Sequence, residues 1–395
     1  MGSGEPNGVN FMRLLMVTQD FPPVVGGIQT YSYQLALRFA MRCEAFEVIA
    51  PSHPESASVD DECPFRVTRV PVSSNGMRVA VLPWLIAAAR RGRFDTVFLA
   101  QWYTGAAGNI ARRLGFVERV FSAAHGQELL RVPAPDSAFG RWYERHRKSV
   151  VNGVDGFFPV SHYTGTLLEA DGVPSDRIHV ANNGTNPERF ALGDRTPETL
   201  QAWRQAHGLG QGPLLLTVSR IVERKGIDLV LRAMPALLQS FPTLRYAVVG
   251  GGPELENLEN LAIELGVSDN AHFLGKIPEE DLLTAYHACD IFVMPARLVY
   301  PSVEGFGLVF REANACGKPV IGTRSGGIPD AIVDGETGLL IDPDDLEALI
   351  ESTLTLLRDP EAARAMGQKG KTLVETKGTW SHVADQILDT MESHT

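Results

Sequence analysis

Residues 214–239, LLLTVS-RIVERKG-IDLVLRAMPALLQ, join an apolar run to a helical stretch through a charged loop that ends in glycine. Leu214–Ser219 is short and apolar, as in a strand buried on both faces, and Ile227–Gln239 carries apolar residues at helical spacing. A strand that leads through a loop into a helix is the repeating unit of a parallel sheet. This stretch therefore predicts an α/β protein.

The same alternation extends in both directions along the chain. Downstream it predicts strands at Arg245–Gly250, Ala271–Leu274, Ile291–Met294, Pro319–Gly322 and Gly338–Ile341, and helices at Leu255–Leu265, Glu279–His287 and Leu346–Leu357. Upstream it predicts strands at Leu14–Thr18, Phe46–Ala50, Thr96–Ala100, Val120–Ala123 and Gly156–Val160, and helices at Gln29–Met41, Val79–Arg91, Gly105–Leu114 and Gly140–Asn152. Two such series in 395 residues predict two Rossmann-like, doubly wound domains.

The boundary between the two series is predicted where periodicity lapses and Gly, Pro and Asp accumulate, at Asn182–Thr185 and Leu192–Glu198. We therefore expect an N-terminal domain over residues 1–190 and a C-terminal domain over 191–377. The remaining residues, 378–395, contain a predicted helix around Trp380–Met391 that can cross back to the N-terminal domain.

Charge is unevenly distributed between the two halves. Residues 1–190 hold 19 Lys and Arg against 18 Asp and Glu, a net charge of +1. Because the whole chain carries −11, the remaining residues carry −12. An acidic half without a basic stripe argues against a nucleic-acid partner.

Several features bear on where the protein works. No stretch approaches the roughly 18 apolar residues of a membrane span, and the first eight residues lack the basic and apolar regions of a secretory signal. Cys43, Cys63, Cys289 and Cys316 are widely spaced and form no CxxC pair, so neither structural zinc nor a disulfide framework is expected. We expect a cytoplasmic protein.

Three glycine-containing loops follow predicted strands. Gly26 and Gly27 precede a helix, where free N–H groups favour a phosphate, although a tight turn without a ligand is an equal alternative. Gly251 lies in a Gly250–Gly252 run that leaves room for a base or ribose, or is only a strand-to-helix turn. Ile277 follows a third strand, where backbone groups can pair with a base edge.

Charged residues suited to a diphosphate lie in the loop quoted above. Arg220 offers a planar set of donors and Lys225 a point charge, at the strand end where doubly wound sheets bind ligands. Arg224 between them is equally compatible with a solvated surface charge.

The most specific motif is Glu304-Gly-Phe-Gly-Leu-Val-Phe-Arg-Glu312. Two carboxylates flank a glycine-rich turn that opens a helix, so Phe306, Gly307, Leu308 and Val309 supply amides for an anion. Each carboxylate can accept hydrogen bonds from sugar or ribose hydroxyls. His125, beside Gly126 at a strand end, is a further candidate, although a lone histidine is more often structural.

Together, Gly26-Gly27, His125, Arg220, Lys225 and Glu304…Glu312 resemble the family 4 retaining glycosyltransferases of the GT-B fold. The phrases Asp20-Phe-Pro-Pro…Gly-Gly-Ile-Gln-Thr-Tyr and Met294-Pro-Ala-Arg297 look most similar to the bacterial phosphatidyl-myo-inositol mannosyltransferase branch. Asn183-Gly184-Thr185-Asn186 departs from the family's usual Asn-Gly-Val-Asp. Leu298–Val303 differs from that branch's Gly-rich stretch, which weakens the assignment of the sugar.

The resemblance implies a hexosyltransferase with a nucleotide-sugar donor bound in an interdomain cleft, GDP-mannose being favoured. It implies that Arg220 and Lys225 bind the diphosphate and that Glu312 binds the ribose. Glu304 and the amides of Phe306 to Leu308 would then hold the hexose. It further implies that His125 lies near the reacting carbon and that Gly27 donates to the phosphate.

Preorganised cations and amides can stabilise the diphosphate charge that develops when the anomeric bond breaks. Asp342-Pro-Asp344-Asp345 reads as a loop and helix N-cap, not a metal site. We therefore expect neither a metal ion nor another cofactor.

Other functions remain as alternatives. A nucleotide-sugar epimerase shares the architecture but needs acid/base groups that are not evident, and a pyridoxal-phosphate glycan phosphorylase needs a longer chain. A loss of catalysis is disfavoured because every site position holds a competent residue. A UDP-sugar donor with a soluble acceptor is also open.

The acceptor is expected to be a glycan or a lipid-linked molecule. In Val79–Arg93, apolar residues that include Trp84 precede Arg90, Arg91 and Arg93, as in a helix that lies on an anionic membrane. This pattern predicts weak peripheral attachment to the inner membrane face. A core helix with a solvated basic end is the alternative.

Overall fold

The structure, a computed structural model, describes residues 12–130 and 137–394. The first eight residues, for which the sequence predicts no secretory signal, lie outside the described ranges. The chain divides into two compact units, Met1–Val160 with Thr164–Ala181 and Trp380–Thr395, and Ser161–Tyr163 with Asn182–Thr379. The sequence predicts the domain boundaries after residues 190 and 377. In the structure the second unit takes over at Asn182, and the chain returns to the first unit at Trp380.

The first unit contains a six-stranded parallel sheet in the order β3-β2-β1-β4-β5-β6. Its strands are β1 Arg13–Val17, β2 Ala45–Pro51, β3 Arg66–Val70, β4 Thr96–Leu99, β5 Arg119–Ala124 and β6 Gly156–Pro159. Its helices are α1 Gly27–Arg42, α2 Ser56–Glu62, α3 Met77–Gly92, α4 Gly105–Arg113, α5 Gln127–Leu130, α6 Ala138–Gly153 and α7 His162–Ala170, with the C-terminal helix Trp380–Ser393.

The strand order of the first unit reverses between β1 and β4. Right-handed crossovers then place α3, α4 and α6 side by side on one face of the sheet, and α1 with the C-terminal helix on the other. The apolar residues of the central strands are buried between these helix layers. The loops after β1 and β4 flank the reversal, where ligands bind in folds of this kind.

The second unit repeats the plan, with strand order β12-β11-β10-β7-β8-β9. Its strands are β7 Leu214–Val218, β8 Arg245–Val249, β9 Ala271–Gly275, β10 Ile291–Val293, β11 Val320–Thr323 and β12 Gly338–Ile341. Its helices are α8 Pro197–Ala206, α9 Ile227–Ser240, α10 Leu255–Glu264, α11 Glu279–Ala288, α12 Leu308–Ala315, α13 Ile328–Ala331, α14 Leu346–Arg358 and α15 Pro360–Lys377. The C-terminal helix Trp380–Ser393 is α16.

These two parallel sheets confirm the predicted α/β, doubly wound class. The predicted series is incomplete, however, because it omits β3, the helices α2, α7, α8 and α15, and the four-residue helices α5 and α13. Strand β3 is an edge strand with sequence Arg-Val-Thr-Arg-Val. Its two arginines, Arg66 and Arg69, are tolerated at an edge and conceal the strand from a search for apolar runs.

Candidate active site

A cluster of two cations on one carboxylate forms beside the strand-order reversal of the second unit. The Lys225 Nζ donates to Glu304 Oε2 at 2.6 Å, and the Arg224 guanidinium donates to the same oxygen. Lys225 follows β7, and Glu304 ends the loop after β10, the neighbouring strand. The sheet topology thus brings together residues that lie 79 positions apart in the sequence.

The environment of this cluster shifts the pKa of both partners. Burial lowers the pKa of Lys225, against the attraction of Glu304. Burial would raise the pKa of Glu304, but the charges and hydrogen bonds of Lys225 and Arg224 lower it to about 2. Glu304 is therefore ionised at neutral pH, and one charge of the two cations remains uncompensated.

The structure separates the three basic residues of the loop. Arg224, which sequence alone leaves open as a surface charge, has a side chain only 12% exposed and is paired with Glu304. Arg220 is exposed, and its guanidinium has no hydrogen-bond or ion-pair partner within the described ranges. Arg220 is thus available to an external anion, whereas Arg224 and Lys225 already hold a carboxylate.

The glycine-rich turn after Glu304 presents backbone donors. Gly307 caps α12 with φ of +92°, a conformation that favours glycine. For the N–H groups of Gly307, Leu308 and Val309, no acceptor is found among residues 12–130 and 137–394. Phe306 is buried beneath the turn. These amides at the start of α12 are therefore available to an anion, and the anion site that the sequence predicts here remains a prediction.

Glu312 lies in α12, away from the cation cluster. The buried Tyr286 hydroxyl donates to its Oε2 at 2.7 Å. Burial raises the pKa of Glu312, while the hydrogen bond from Tyr286 and the charge of Arg189 oppose this rise. Tyr286 was not predicted, and no sequence motif marks it.

The three glycines after β8 have different roles. A side chain at Gly250 would collide with the Ser219 carbonyl, and one at Gly252 with the Ile221 carbonyl. These two glycines allow the loops after β7 and β8 to pack backbone to backbone. A side chain at Gly251 would meet only the Lys276 Cε, at 4.0 Å, so Gly251 alone leaves space for a ligand.

Ile277 follows β9 in the loop that leads to α11, and it is partly exposed. The preceding Gly275 carbonyl accepts from the Gly250 N–H at 2.8 Å, which joins this loop to the glycine run. The loop that contains Ile277 is therefore joined to the glycine run through Gly275, and the role of Ile277 in binding a base remains a prediction.

In the first unit, Gly26 precedes α1 and Gly27 begins it. The described residues supply no acceptor for the N–H groups of Gly27, Ile28 and Gln29. The side-chain amide of Gln29 donates through Nε2 to Asp20 Oδ1 at 2.7 Å, which connects the glycine turn to the loop after β1. Gly27 is exposed, so its amide is accessible to a phosphate.

His125 follows β5 and is 8% exposed. Its Nε2 lies 2.8 Å from the Ala100 carbonyl, which fixes the hydrogen on Nε2, and its ring packs edge-on against Tyr31. Within the described ranges, Nδ1 has no hydrogen-bond partner. The ring is thus held by packing and offers Nδ1 as its free polar atom.

The structure gathers Lys225 and Glu304 into one cluster and does not connect Arg220, Glu312 or Ile277 to it by hydrogen bonds. Within residues 12–130 and 137–394, no three His, Cys, Asp or Glu side chains are grouped to bind a metal ion. Nor does any described helix have the length and apolarity needed to cross a membrane.

Each doubly wound unit thus presents a glycine turn with unpaired backbone N–H groups among the described residues, and the second unit adds a cation–carboxylate cluster. Residues 201–373 match the model of glycosyl transferases group 1, and residues 25–189 match that of glycosyltransferase family 4. The chain belongs to this glycosyltransferase family.

Individual relatives and a solved structure agree with this assignment. The chain is 34% identical to a GDP-mannose-dependent α-(1-6)-phosphatidylinositol monomannoside mannosyltransferase of Mycolicibacterium smegmatis, covering 91% of this chain and 92% of the relative. It is 30% identical to a monoacylated-substrate counterpart of Corynebacterium glutamicum, over 96% and 98% of the two chains. Anabaena HepE in complex with UDP superimposes with a TM-score of 0.79 at 19% identity, covering 97% of this chain and all of that one.

These findings confirm the predicted family, the GT-B fold and the enzyme class, a hexosyltransferase. They do not favour an epimerase.

Proposed function

We propose that this enzyme transfers mannose from GDP-mannose to a phosphatidylinositol mannoside, with retention of the anomeric configuration. The observation that carries the proposal is the Lys225–Glu304–Arg224 cluster beside unpaired helix amides, in a chain similar to GDP-mannose-dependent enzymes. Such a cluster combines cations for a diphosphate with a carboxylate for sugar hydroxyls.

The donor's charge and its hydroxyls require different groups. Arg220 and Lys225 bind the diphosphate, together with the amides at the start of α12. Glu304 keeps one oxygen, Oε1, for hydroxyls of the hexose, because both cations share Oε2. Glu312 accepts from the ribose, and Gly251 and Ile277 leave space for the base.

Retention follows from transfer on one face of the sugar. The bond between the anomeric carbon and the diphosphate oxygen breaks, and the acceptor oxygen bonds to that carbon on the same face. The acceptor's proton passes to the leaving phosphate oxygen, so no protein nucleophile is needed. The enzyme stabilises the negative charge that develops on the β-phosphate while the bond breaks, before its oxygen takes the acceptor's proton, and His125 orients the hexose.

The same arrangement supports catalysis without a metal ion. Side-chain cations and helix amides occupy the role that Mg²⁺ has in other diphosphate sites. Full activity in excess EDTA is expected, with mannose transfer followed over time. Loss of activity that Mg²⁺ or Mn²⁺ restores would contradict it.

A membrane surface is proposed as the place where the acceptor is collected. On the face formed by α3, α4 and α6, Trp84 is 38% and Trp142 47% exposed, and Val79 and Leu114 are more exposed still. Arg113, Arg145 and Lys148 on the same helices are also exposed. Aromatic and basic side chains on one face suit an anionic lipid interface.

The predicted membrane helix contributes only part of this surface. Val81 and Leu85 are buried in the core, and Arg91 is paired with the buried Glu47 at 2.6 Å. The Arg90 guanidinium stacks over the Phe116 ring, 4.6 Å from its centroid. Arg93 follows the end of α3 and is exposed, with no side-chain partner among the described residues, so of the three arginines it is the one that joins the exposed basic residues of α4 and α6.

The test is an acceptor and donor panel. GDP-mannose, UDP-glucose and UDP-galactose are offered with vesicles containing phosphatidylinositol monomannoside, or with soluble inositol phosphate, and the products are analysed by mass spectrometry. Transfer from GDP-mannose to the lipid is expected. Exclusive use of a UDP-sugar, or of the soluble acceptor, would overturn the proposed substrates.

A further inference from the structure

The Tyr286 hydroxyl donates a hydrogen bond to the Glu312 carboxylate. Tyr286 lies on α11 and is fully buried, and Glu312 lies on α12 with part of its side chain exposed. The Tyr286 ring contacts Phe190 and Phe292, each with a centroid separation of 5.9 Å. This aromatic packing fixes the direction in which the hydroxyl points.

The hydrogen bond gives the two carboxylate oxygens of Glu312 different roles. Oε2 accepts from Tyr286, and Oε1 is left for another donor. A phenol can donate only while protonated, and burial with the adjacent carboxylate raises the pKa of Tyr286 well above its ordinary value. Tyr286 is therefore the donor of this pair and Glu312 the acceptor, an arrangement that stabilises the ionised form of the carboxylate.

We propose that Tyr286 is a positioning residue that orients Glu312 toward the donor's ribose and keeps its carboxylate ionised. The inference rests on the proposed function, in which Glu312 accepts from the ribose hydroxyls. A carboxylate accepts hydrogen bonds from two adjacent hydroxyls better than a neutral acid does, because the acid's own proton occupies one oxygen. Nucleotide affinity thus depends on a residue that does not touch the nucleotide.

Other titratable groups near this pair do not explain a pH effect near neutrality. Burial raises the pKa of Cys289 to about 12 and that of Cys316 further. Burial lowers the pKa of His287, next to Tyr286 on α11, to about 4. Glu312 is therefore the group of this cluster whose pKa the loss of the Tyr286 hydrogen bond would change.

The sign of the pH effect follows from the two influences on Glu312. Burial already raises its pKa, and the Tyr286 hydrogen bond opposes that rise. Tyr286→Phe removes the opposing influence, so the pKa of Glu312 rises further and more of it is protonated as pH falls. The variant should lose GDP affinity most at low pH.

The experiment is calorimetric titration with GDP from pH 5.5 to 8. Tyr286→Phe keeps the ring and is expected to weaken GDP binding by about tenfold at pH 6, the effect of one hydrogen bond to a charged group, and by less at pH 8. In a Glu312→Gln background the same substitution should add nothing. Tyr246→Phe is the matched control, since Tyr246 is equally buried and its hydroxyl lies 2.8 Å from the Thr217 hydroxyl.

The outcomes separate this inference from the proposed function. Wild-type GDP binding by Tyr286→Phe, or weakening by the same factor at every pH, overturns the positioning role and leaves the proposed function intact. Wild-type binding by Glu312→Gln overturns the ribose assignment that both share. Failure of the unaltered enzyme to bind GDP overturns the proposed donor itself.

Discussion

At the scale of single residues, the basic loop after β7 contains cations in two different states. Lys225 and Arg224 share the Glu304 carboxylate, and their attraction to an incoming diphosphate competes with it. Arg220 is exposed and has no such competitor in the described ranges. Its full charge is therefore available to the diphosphate, which identifies it as the first cation to test.

Arg220→Ala is expected to lower turnover by about a hundredfold, as for the loss of one donor to a developing negative charge. Folding should be unaffected because the side chain is exposed. Steady-state kinetics with GDP-mannose measure the effect, and Arg364→Ala, an exposed arginine on α15, is the control. Kinetics within twofold of the parent enzyme would remove Arg220 from the site.

The two glutamates of the Glu304…Glu312 motif are expected to respond differently to amide substitution. Glu312→Gln should weaken binding of free GDP, by about tenfold for a charged hydrogen bond. Glu304→Gln removes the carboxylate that competes for Lys225, so GDP should bind equally well or more tightly while kcat/KM for GDP-mannose falls. Calorimetry with GDP and kinetics with GDP-mannose separate the two, and equal loss of GDP binding would refute the division.

The residues that sequence reasoning missed share a physical cause. Arg224 is as compatible with solvent as with burial when only its neighbours are known, and its partner Glu304 is distant in the sequence. Tyr286 lies inside helix α11, and only the tertiary packing of its ring against Phe190 and Phe292 directs its hydroxyl to Glu312. Glycine turns and strand ends were predictable because their chemistry is local.

At the scale of elements, the start of α12 depends on one backbone conformation. Gly307 has φ of +92°, and a side chain there would lie 2.7 Å from the ring of Phe310, which is fully buried. Gly317, just beyond the other end of α12, has φ of +71° with no neighbour within 4 Å of an added side chain. Both positions therefore require a left-handed backbone conformation, but only at Gly307 would an added side chain also collide with a neighbour.

Gly307→Ala is expected to displace the amides of α12 and lower kcat/KM for GDP-mannose by about tenfold or more, in addition to a loss of stability. Gly317→Ala should cost only the roughly 1 kcal/mol of a left-handed non-glycine residue. Kinetics and thermal unfolding of both variants measure the difference. Equal kinetic losses would show that the amides of α12 have no special role.

The same scale explains which elements the sequence could predict. Strands β1, β4 and β7 lie in sheet interiors and appear as continuous apolar runs. Edge strand β3 and the helix α15, with its polar sequence Pro-Glu-Ala-Ala-Arg-Ala-Met-Gly, lack that signal. The positions of β3 and α15 depend on tertiary contacts, which a local sequence pattern does not contain.

At the scale of the whole molecule, charge distinguishes the two halves. Residues 191–395 carry −12 and are repelled by an anionic surface, whereas residues 1–190 carry +1. In the first unit, Arg113, Arg145 and Lys148 are exposed on α4 and α6, which pack beside α3 with its exposed Trp84, and Lys148 Nζ lies 3.4 Å from Glu144 Oε1. This face of the first unit is therefore the one expected to meet anionic lipid.

Replacing Arg113, Arg145 and Lys148 together by Ala is expected to abolish flotation with anionic vesicles at low salt. Each cation near such a surface contributes about 1 kcal/mol, so three account for a weak attachment that salt reverses. The control variant replaces Arg358, Arg364 and Lys369 of α14 and α15 by Ala, which removes the same charge from an exposed surface of the second unit. It should float like the parent enzyme, and neither protein should float with neutral vesicles. If the parent enzyme ignores anionic vesicles at low salt, the face of α3, α4 and α6 is not a lipid-binding surface and the acceptor reaches the enzyme from solution.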